Sequence, residues 1–409
     1  MTNSKFETGL ALPADKVHLA GMNHKTAPLD LREKVAFSTE EAPGVLARVK
    51  TALGNAEIVA VSTCNRTEIV WAGREMDPAR LFAAVFDAQS SPSWEGALFA
   101  VNGRRAVEHV FRVACGLESM VMGETQVLHQ LRRAYDRSLA AGLTGSVLNP
   151  LYQRAFRAAK EVHTRTKLAS RHASVPAVAM DLAAALFENL AAASVVVIGT
   201  GETGILVLET LRKRGAGDIA VVSRDPARAR GVCGTAAVHP WGELPRLLAG
   251  ADILIACAAT DAPVVTEIMI REAFPARRGR HRPLLVLDLA VPRNVAPEAG
   301  RFEEVYLRNL DDLRAVAERN RAGLEGDLVA VREILAAHLD DYFRDSRASA
   351  AAAVARDLHG AMEQAVDVEI TRLRENLAHL PPADRAEVEA AVRRIVDKFL
   401  DGKSNESGV

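Results

Sequence analysis

The apolar run Ser194-Val195-Val196-Val197-Ile198 passes straight into Gly199-Thr200-Gly201-Glu202-Thr203-Gly204 and then into a helical pattern that lasts to Arg214. Strand, glycine turn and helix in that order leave few folds open. The first two glycines permit a tight turn and the close approach of a pyrophosphate to a helix N-terminus, and the third lets helix and strand pack closely. Alone, Gly-x-Gly-x-x-Gly is a weak signal; with a strand before it and a helix after it, it is a specific one. Further apolar runs at Ile219 to Val222, Asp252 to Ala256 and Leu284 to Asp288, separated by helical stretches, predict a doubly wound parallel sheet. The second of these strands ends at Ser223-Arg224, where an acid for the ribose hydroxyls of NAD is usual. Arginine there suits a 2′-phosphate, so the sequence favours NADPH. The plainer reading is a surface arginine that opens a turn before Asp225-Pro226.

A second constraint lies at Val61-Ser62-Thr63-Cys64-Asn65-Arg66-Thr67-Glu68, which sets one cysteine among polar residues between two apolar runs. Ile58 to Val61 and Glu68 to Trp71 read as strands, so Thr63 to Thr67 is predicted to be the loop that joins them. Cys64 is the candidate nucleophile, and Arg66 two residues away is expected to favour its thiolate. A lone cysteine is more often an inert core residue; Thr-Cys-Asn-Arg is a poor core sequence and a good site sequence. Around it, strand Val17 to Gly21, a helix within Glu40 to Leu53, strands 57 to 62 and 67 to 72, helix Pro78 to Asp87 and strand Ala97 to Val101 give the order β-α-β-β-α-β of a ferredoxin-like domain.

From Arg104 to Thr166 the pattern is helical. His109 falls in the first of these helices. Between Gly116 and Gln126, polar Ser119, Glu124 and Gln126 interrupt an apolar run, a composition that suits a ligand loop or a tight turn. Basic residues Arg132, Arg133, Arg137, Arg154, Arg157, Lys160, Arg165, Lys167 and Arg171 face only Asp136 and Glu161, a stripe able to track a phosphate backbone or simply to solvate a helical face. Beyond Tyr306 the chain is almost wholly helical. One helix is expected from about 309 to 346, with two more after it on the seams Val354 to Leu377 and Val388 to Phe399, divided by Pro381-Pro382. Such seams suit a dimerisation bundle or an intramolecular one.

With 409 residues the chain is long enough for two or three domains, and its formal net charge of −1 demands neither nucleic acid nor an anionic membrane. Cys64, Cys115, Cys233 and Cys257 show neither Cys-x-x-Cys spacing nor a metal pattern, which fits a reducing cytoplasm without a zinc site. No apolar run reaches the ~18 residues of a membrane helix.

Taken together, Gly-Met-Asn-His-Lys-Thr-Ala-Pro at 21 to 28, Ser-Thr-Cys-Asn-Arg-Thr-Glu at 62 to 68, Gly-Leu-Glu-Ser-Met-Val-Met-Gly-Glu-x-Gln at 116 to 126, Gly-x-Gly-Glu-Thr at 199 to 203 and Asp-Leu-Ala-Val-Pro-Arg-Asn at 288 to 294 resemble the glutamyl-tRNA reductases over nearly the whole chain. The resemblance implies NADPH-dependent reduction of glutamyl-tRNA to glutamate-1-semialdehyde through a cysteine thioester, the committed step of tetrapyrrole synthesis. It implies a homodimer with a catalytic domain at 1–166, an NADP domain at 167–307, and a spinal helix with a helical dimerisation domain at 308–409. It also implies roles: Cys64 as nucleophile, His109 as a supporting catalytic residue, and Thr63, Asn65, Arg66, Ser119, Glu124, Thr125, Gln126 and Gln130 around the substrate. Gly199, Thr200, Gly201, Glu202, Thr203 and Gly204, with Ser223 and Arg224, would hold NADPH. An aminotransferase is the implied recipient of the labile aldehyde. Thr125 stands where the family usually has proline, and the tail at Leu400 to Lys403 lacks the expected His and Pro.

Two other readings stay open on the residues alone. One is an NADP-dependent semialdehyde dehydrogenase that acts on a free acyl phosphate. The other is a silent paralogue that binds tRNA or NADP without turnover.

Overall fold

A computed structural model describes residues 12–86, 94, 96–166, 168, 174–187, 189–277, 283–319, 325–377 and 379–404. It divides into two compact units, one of 14–342 and one that takes the described residues from Phe343 onward. Of the residues named above, Asp87, Lys167 and Arg171 lie outside the described set.

The larger unit holds two sheets. The first comprises β1 (Val17–Asn23), β2 (Glu57–Thr63), β3 (Arg66–Ala72) and β4 (Phe99–Asn102) in the order β2-β3-β1-β4, every pair antiparallel. That is the ferredoxin-like arrangement read from the sequence. Helix α1 (Leu29–Val35), which the sequence pattern did not reveal, precedes α2 (Ala42–Leu53); α3 (Pro78–Val85) follows the hairpin. Residues of α2 and α3 bury one face of the sheet, with Met22, Ile58, Ile69, Trp71 and Phe82 at the centre. Because strand side chains alternate, Arg66 and Glu68 take the other face together. That face is covered by α4 (Gly103–Ala114), α5 (Thr125–Ala140) and α6 (Leu148–Arg165).

Helix α7 (Val175–Leu186) leads to the second sheet, built of β5 (Ser194–Ile198), β6 (Asp218–Ser223), β7 (Ala237–Pro240), β8 (Ile253–Ala256), β9 (Leu284–Asp288) and β10 (Val305–Asn309), with helices α8 (Glu202–Lys213), α9 (Pro226–Arg230), α10 (Leu244–Gly250) and α11 (Glu267–Arg277) between its strands. All pairs are parallel, in the order β10-β9-β8-β5-β6-β7. This is the doubly wound order of a Rossmann fold. Val195 and Val197 enter one core and Val196 and Ile198 the other, as expected of a strand covered on both faces. The edge strands β7 and β10 were not foreseen; both mix exposed with half-buried positions and so lack the continuous apolar run of the inner strands.

Within the helix expected at 309–346, α12 spans Leu310–Arg319 and α13 begins at Glu325, with 320–324 outside the described residues. Conversely, α13 runs unbroken for 52 residues to Asn376, through the point where a division into two helices was expected. The alanine-rich stretch Ala348 to Ala355 contains neither glycine nor proline to end it. Pro381-Pro382 does divide it from α14 (Pro382–Ser404). Within the smaller unit, Arg374 donates to both Glu389 oxygens at 2.6 Å, and Arg393 bonds Asp367 at 2.9 Å, which pins α13 and α14 antiparallel. Val354, Leu358 and Val368 remain exposed along it. Among the described residues no helix is long and apolar enough to cross a membrane.

Candidate active site

The β2–β3 hairpin closes more tightly than the sequence suggested. Thr63 and Arg66 are paired strand residues, so the turn consists of Cys64 and Asn65 alone. Thr63 Oγ1 accepts from the amides of Asn65 at 3.1 Å and Arg66 at 3.2 Å, which fixes the turn without a glycine. Cys64 is partly exposed at its tip and packs against a core cluster that runs from Met120 and Val121 into the Rossmann strands. The cysteine thus lies against a core that both domains share.

Three backbone-directed contacts steady the turn. His24 N donates to Asn65 O at 2.9 Å. Arg32, buried on α1, donates through Nη1 to Cys64 O at 2.7 Å and through Nη2 to Asp311 at the start of α12. Arg314 Nη1 on the same helix donates to His24 O at 2.8 Å. Arg32 and Arg314 were missed in the sequence, because neither lies in a motif that marks chemistry.

Behind the turn, Arg66 donates to Glu68 Oε1 at 2.8 Å and to Glu118 O, and His109 Nε2 lies 3.1 Å from the same Glu68 oxygen. Burial alone would raise the Glu68 carboxyl, but Arg66 and then His109 outweigh it and hold it at about 2. The carboxylate thus orients both candidate residues. Phe99 lies against the His109 ring, centroids 5.3 Å apart and planes tilted by 49°.

Arg66 acts on the thiol in the expected direction but does not prevail. It is bonded to the Glu68 carboxylate and to Glu118 O, while burial, and then the Glu124 carboxylate, push the Cys64 thiol up to about 12 against Arg32 and Arg66. In this state the sulfur is a thiol. Glu124 itself is raised to about 7 by burial, against the Val175 amide that bonds it.

The loop from Gly116 to Glu124 wraps this site. Gly123, at φ +83°, is required: an added Cβ would lie 2.5 Å from Leu168 O. Ser119 and Glu124 are buried; Thr125 is exposed as the first residue of α5, a position where proline is equally at home. Gln126 and Gln130, half-buried, follow one turn apart on that helix. Asn65 Oδ1, Ser119 Oγ, Gln126 Nε2 and His24 Nδ1 are buried polar atoms without a hydrogen-bond partner, as a site built for a polar ligand leaves them. A cavity of about 260 Å³ opens beside His24 and Ser119, lined also by Lys25, Arg314 and Glu318.

In the second domain, Gly199 takes φ +102°, and a Cβ there would sit 2.7 Å from Ala258 Cα. One on Gly204 would meet Gly199 O at 2.3 Å, whereas nothing lies within 4 Å of a Cβ on Gly201. The turn is close-packed inward and open outward, with no side chain capping the N-terminus of α8 (Glu202–Lys213). These residues fit a dinucleotide pyrophosphate. Thr200 and Thr203 stand in the same turn. Ser223 Oγ is held by Asp225, and exposed Arg224 reaches Ala259 O at 2.9 Å, which keeps its guanidinium at the mouth of the β8 loop. Glu202 pairs across the domain boundary with Arg133 of α5.

That pairing bears on the basic stripe, which is less available than its sequence suggested. Arg154 bonds Asp341 at 3.0 Å, Arg165 bonds Glu161 at 2.5 Å, and Arg132 lies over the Phe156 ring at 4.9 Å. Arg157 and Lys160 remain exposed on one face of α6.

Comparison with known proteins covers the chain in three parts. Residues 20–166 match the model of the glutamyl-tRNAGlu reductase N-terminal domain, 181–316 that of shikimate/quinate 5-dehydrogenase, and 330–405 that of the glutamyl-tRNAGlu reductase dimerisation domain. Glutamyl-tRNA reductase 2 of Anaeromyxobacter dehalogenans is 34% identical over 393 residues, 95% of this chain and 87% of that protein. The glutamyl-tRNA reductase of Alkalilimnicola ehrlichii is 36% identical over 339 residues, 81% of this chain and 75% of that protein. The solved glutamyl-tRNA reductase from Methanopyrus kandleri superposes with a TM-score of 0.53 at 27% identity, covering 95% of this chain and 94% of that one. With its cysteine turn, its glycine turn and its helical tail all falling inside these matches, the chain belongs to the glutamyl-tRNA reductase family.

Proposed function

We propose that the protein reduces the glutamyl group of glutamyl-tRNA to glutamate-1-semialdehyde and releases the tRNA, the first step of tetrapyrrole synthesis. The observation that carries the reading is the Cys64 turn, set between unpartnered buried polar atoms of Asn65, Ser119 and Gln126 and the core of a dinucleotide-binding domain. Cys64 attacks the aminoacyl ester: the sulfur–carbon bond forms, the ester carbon–oxygen bond breaks, and the thiol proton ends on the ribose oxygen. This splits a difficult reduction into acyl transfer followed by reduction of a thioester. His109, fixed by Glu68, and Arg66 orient the acyl group, with Thr63, Ser119, Glu124, Thr125, Gln126 and Gln130 around it.

A nicotinamide cofactor bound over residues 199 to 204 supplies the hydride. Support for NADPH comes from Arg224, whose exposed guanidinium stands at the end of β6 beside Ser223. The reading places catalysis in 1–166, the cofactor in 167–307 and dimerisation in 308–409. Exposed Val354, Leu358 and Val368, within a segment matching a dimerisation domain, support a homodimer. A cytoplasmic location and handover of the aldehyde to an aminotransferase belong to the same reading. The free acyl-phosphate alternative is not favoured, since the N-terminal match is to a domain of glutamyl-tRNA reductase.

The test is mass spectrometry of enzyme quenched after exposure to glutamyl-tRNA without NADPH, which should show one glutamyl adduct on Cys64. Cys64→Ser should abolish semialdehyde formation; a parental rate in that variant overturns the role.

A further inference from the structure

The motif at 288 to 294 has no duty in the account above, and its last residue, Asn294, is wholly buried with its side-chain amide fully bonded. Asn294 Oδ1 accepts from Ala258 N at 2.8 Å, and Nδ2 donates to Ala258 O at 3.0 Å and to Thr260 Oγ1 at 2.7 Å. The amide thus pairs with Ala258 in both directions, as a neighbouring strand would, and grips the segment that leaves β8. Asp288 holds Asn294 in turn by accepting from its backbone N at 2.9 Å. A buried polar network with every member satisfied specifies one position for the groups it joins.

The segment so held faces both reacting partners. A dinucleotide lies across the carboxyl ends of a doubly wound sheet where the strand order reverses, here between β5 and β8. Ser223 and Arg224, on the β6 side, are assigned the 2′-phosphate, which leaves the nicotinamide half to the β8 side. Ala258 also backs the glycine turn, since a Cβ on Gly199 would lie 2.7 Å from Ala258 Cα. Toward the cysteine, Arg293 N donates to Glu33 Oε1 at 2.6 Å, and Arg32, the residue before Glu33, donates to Cys64 O at 2.7 Å. Two neighbours on α1 and two neighbours in the motif therefore join Cys64 to Ala258. We infer that Asn294 is a positioning residue for hydride transfer: it fixes the β8 loop beneath the nicotinamide half and, through Arg293, in register with Cys64. The inference rests on the proposed function and names what sets the distance between the two halves of that site.

The experiment uses the full-length enzyme with Asn294→Ala and with Thr260→Val, which removes only the Thr260 end of the brace and keeps the test decisive if the first variant does not fold. Hydrogen exchange of residues 256 to 264, with and without NADPH, reads the loop. Intact mass after exposure to glutamyl-tRNA without NADPH reads acylation of Cys64, and single-turnover reduction of the acyl-enzyme once NADPH is added reads the register. In the parent, NADPH should slow exchange across the loop; in both variants exchange should be faster and that protection smaller. Acylation should stay within about twofold, whereas reduction in Asn294→Ala should fall roughly ten- to hundredfold, the loss that a misplacement of about 1 Å produces. Thr260→Val should show a smaller loss of the same kind. Equal losses of acylation and reduction would mean a structural brace only and overturn the inference, as would reduction at the parental rate in every folded variant. A parent that glutamyl-tRNA does not acylate overturns the proposed function instead. The exchange data then decide on Asn294, whose role falls if NADPH protects the loop equally in parent and variants.

Discussion

The Arg32 guanidinium donates to the backbone oxygen of Cys64 at 2.7 Å while its second nitrogen holds Asp311, 279 residues later in the chain. Asp311 also accepts from Leu29 N at 3.0 Å, so α1 and α12 are fastened at the point where the catalytic turn is aimed. A hydrogen bond from a charged donor is worth about 1.5–3 kcal/mol. If this one sets the attack geometry, Arg32→Met should lower kcat for semialdehyde by roughly ten- to hundredfold. The check is steady-state kinetics beside a double-mutant cycle with Asp311→Asn; additive effects would show that the two residues act separately.

Glu124 faces Cys64 with a charge that opposes thiolate formation. Above about pH 7 the carboxylate is ionised and the opposition is complete; below it the group is protonated and the opposition fades. Glu124→Gln should therefore speed alkylation of Cys64 by iodoacetamide several-fold at pH 8 and leave it near the parental rate at pH 6. Peptide mass spectrometry reads the site. A variant that is slower at pH 8 would refute the electrostatic assignment.

Glu68 supplies an acid-sensitive part of the stability. Its carboxyl is held at about 2 against an ordinary 4.5, so its contribution is fully present above about pH 4.5 and is lost as pH falls through about 2. A shift of that size corresponds to about 3 kcal/mol. Glu68→Gln should be destabilised at pH 7, measured by urea unfolding, and should show a flatter loss of stability on acidification than the parent. An unchanged acid profile would mean that the Arg66 and His109 contacts contribute nothing.

The turn at 288 to 293 follows β9 and faces α1. In the structure Arg293 donates from its backbone N to Glu33 Oε1 at 2.6 Å, and its Nε lies 3.0 Å from both Glu33 oxygens, which fastens the turn to α1. Asp288 braces the same turn by accepting from Asn294 N at 2.9 Å and Val295 N at 2.8 Å. Arg293→Met should loosen the seal between the domains and admit water, so the ratio of free glutamate to semialdehyde should rise. Chromatography of the products measures that ratio; a parental value would leave the seal elsewhere.

What the sequence revealed was what is local. The glycine turn, the inner strands of both sheets and the polar residues around Cys64 each announce themselves within ten positions or so, through periodicity and side-chain type. Arg32 could not be found that way, since its partner lies in α12. Glu68 read as an ordinary strand start, because alternation says that it shares a face with Arg66 but not that His109 arrives from α4. The state of the thiol was hidden for the same reason: the arginine beside it in sequence acts as expected, but sequence does not reveal how deeply the sulfur is buried or that Glu124 faces it. The division expected after about 346 failed differently, since an apolar seam at threes and fours shows a helical face but not where one helix ends and the next begins.

Ion pairing also redirects the expectation for tRNA. Arg154 and Arg133 are engaged with Asp341 and Glu202, whereas Arg157 and Lys160 lie one turn apart on the exposed face of α6. If that face follows the tRNA backbone, each phosphate neutralised contributes roughly 0.7 to 0.9 log unit of affinity per log unit of salt. Arg157→Gln with Lys160→Gln should weaken tRNA binding and reduce the slope by about twice that amount. Arg154→Gln should act mainly on stability, through the loss of its bond to Asp341. Filter binding or anisotropy across a salt series distinguishes them: a slope unchanged in the double variant moves the contact off α6, and a slope reduced by Arg154→Gln alone would mean that its pairing with Asp341 is exchanged for phosphate when tRNA binds.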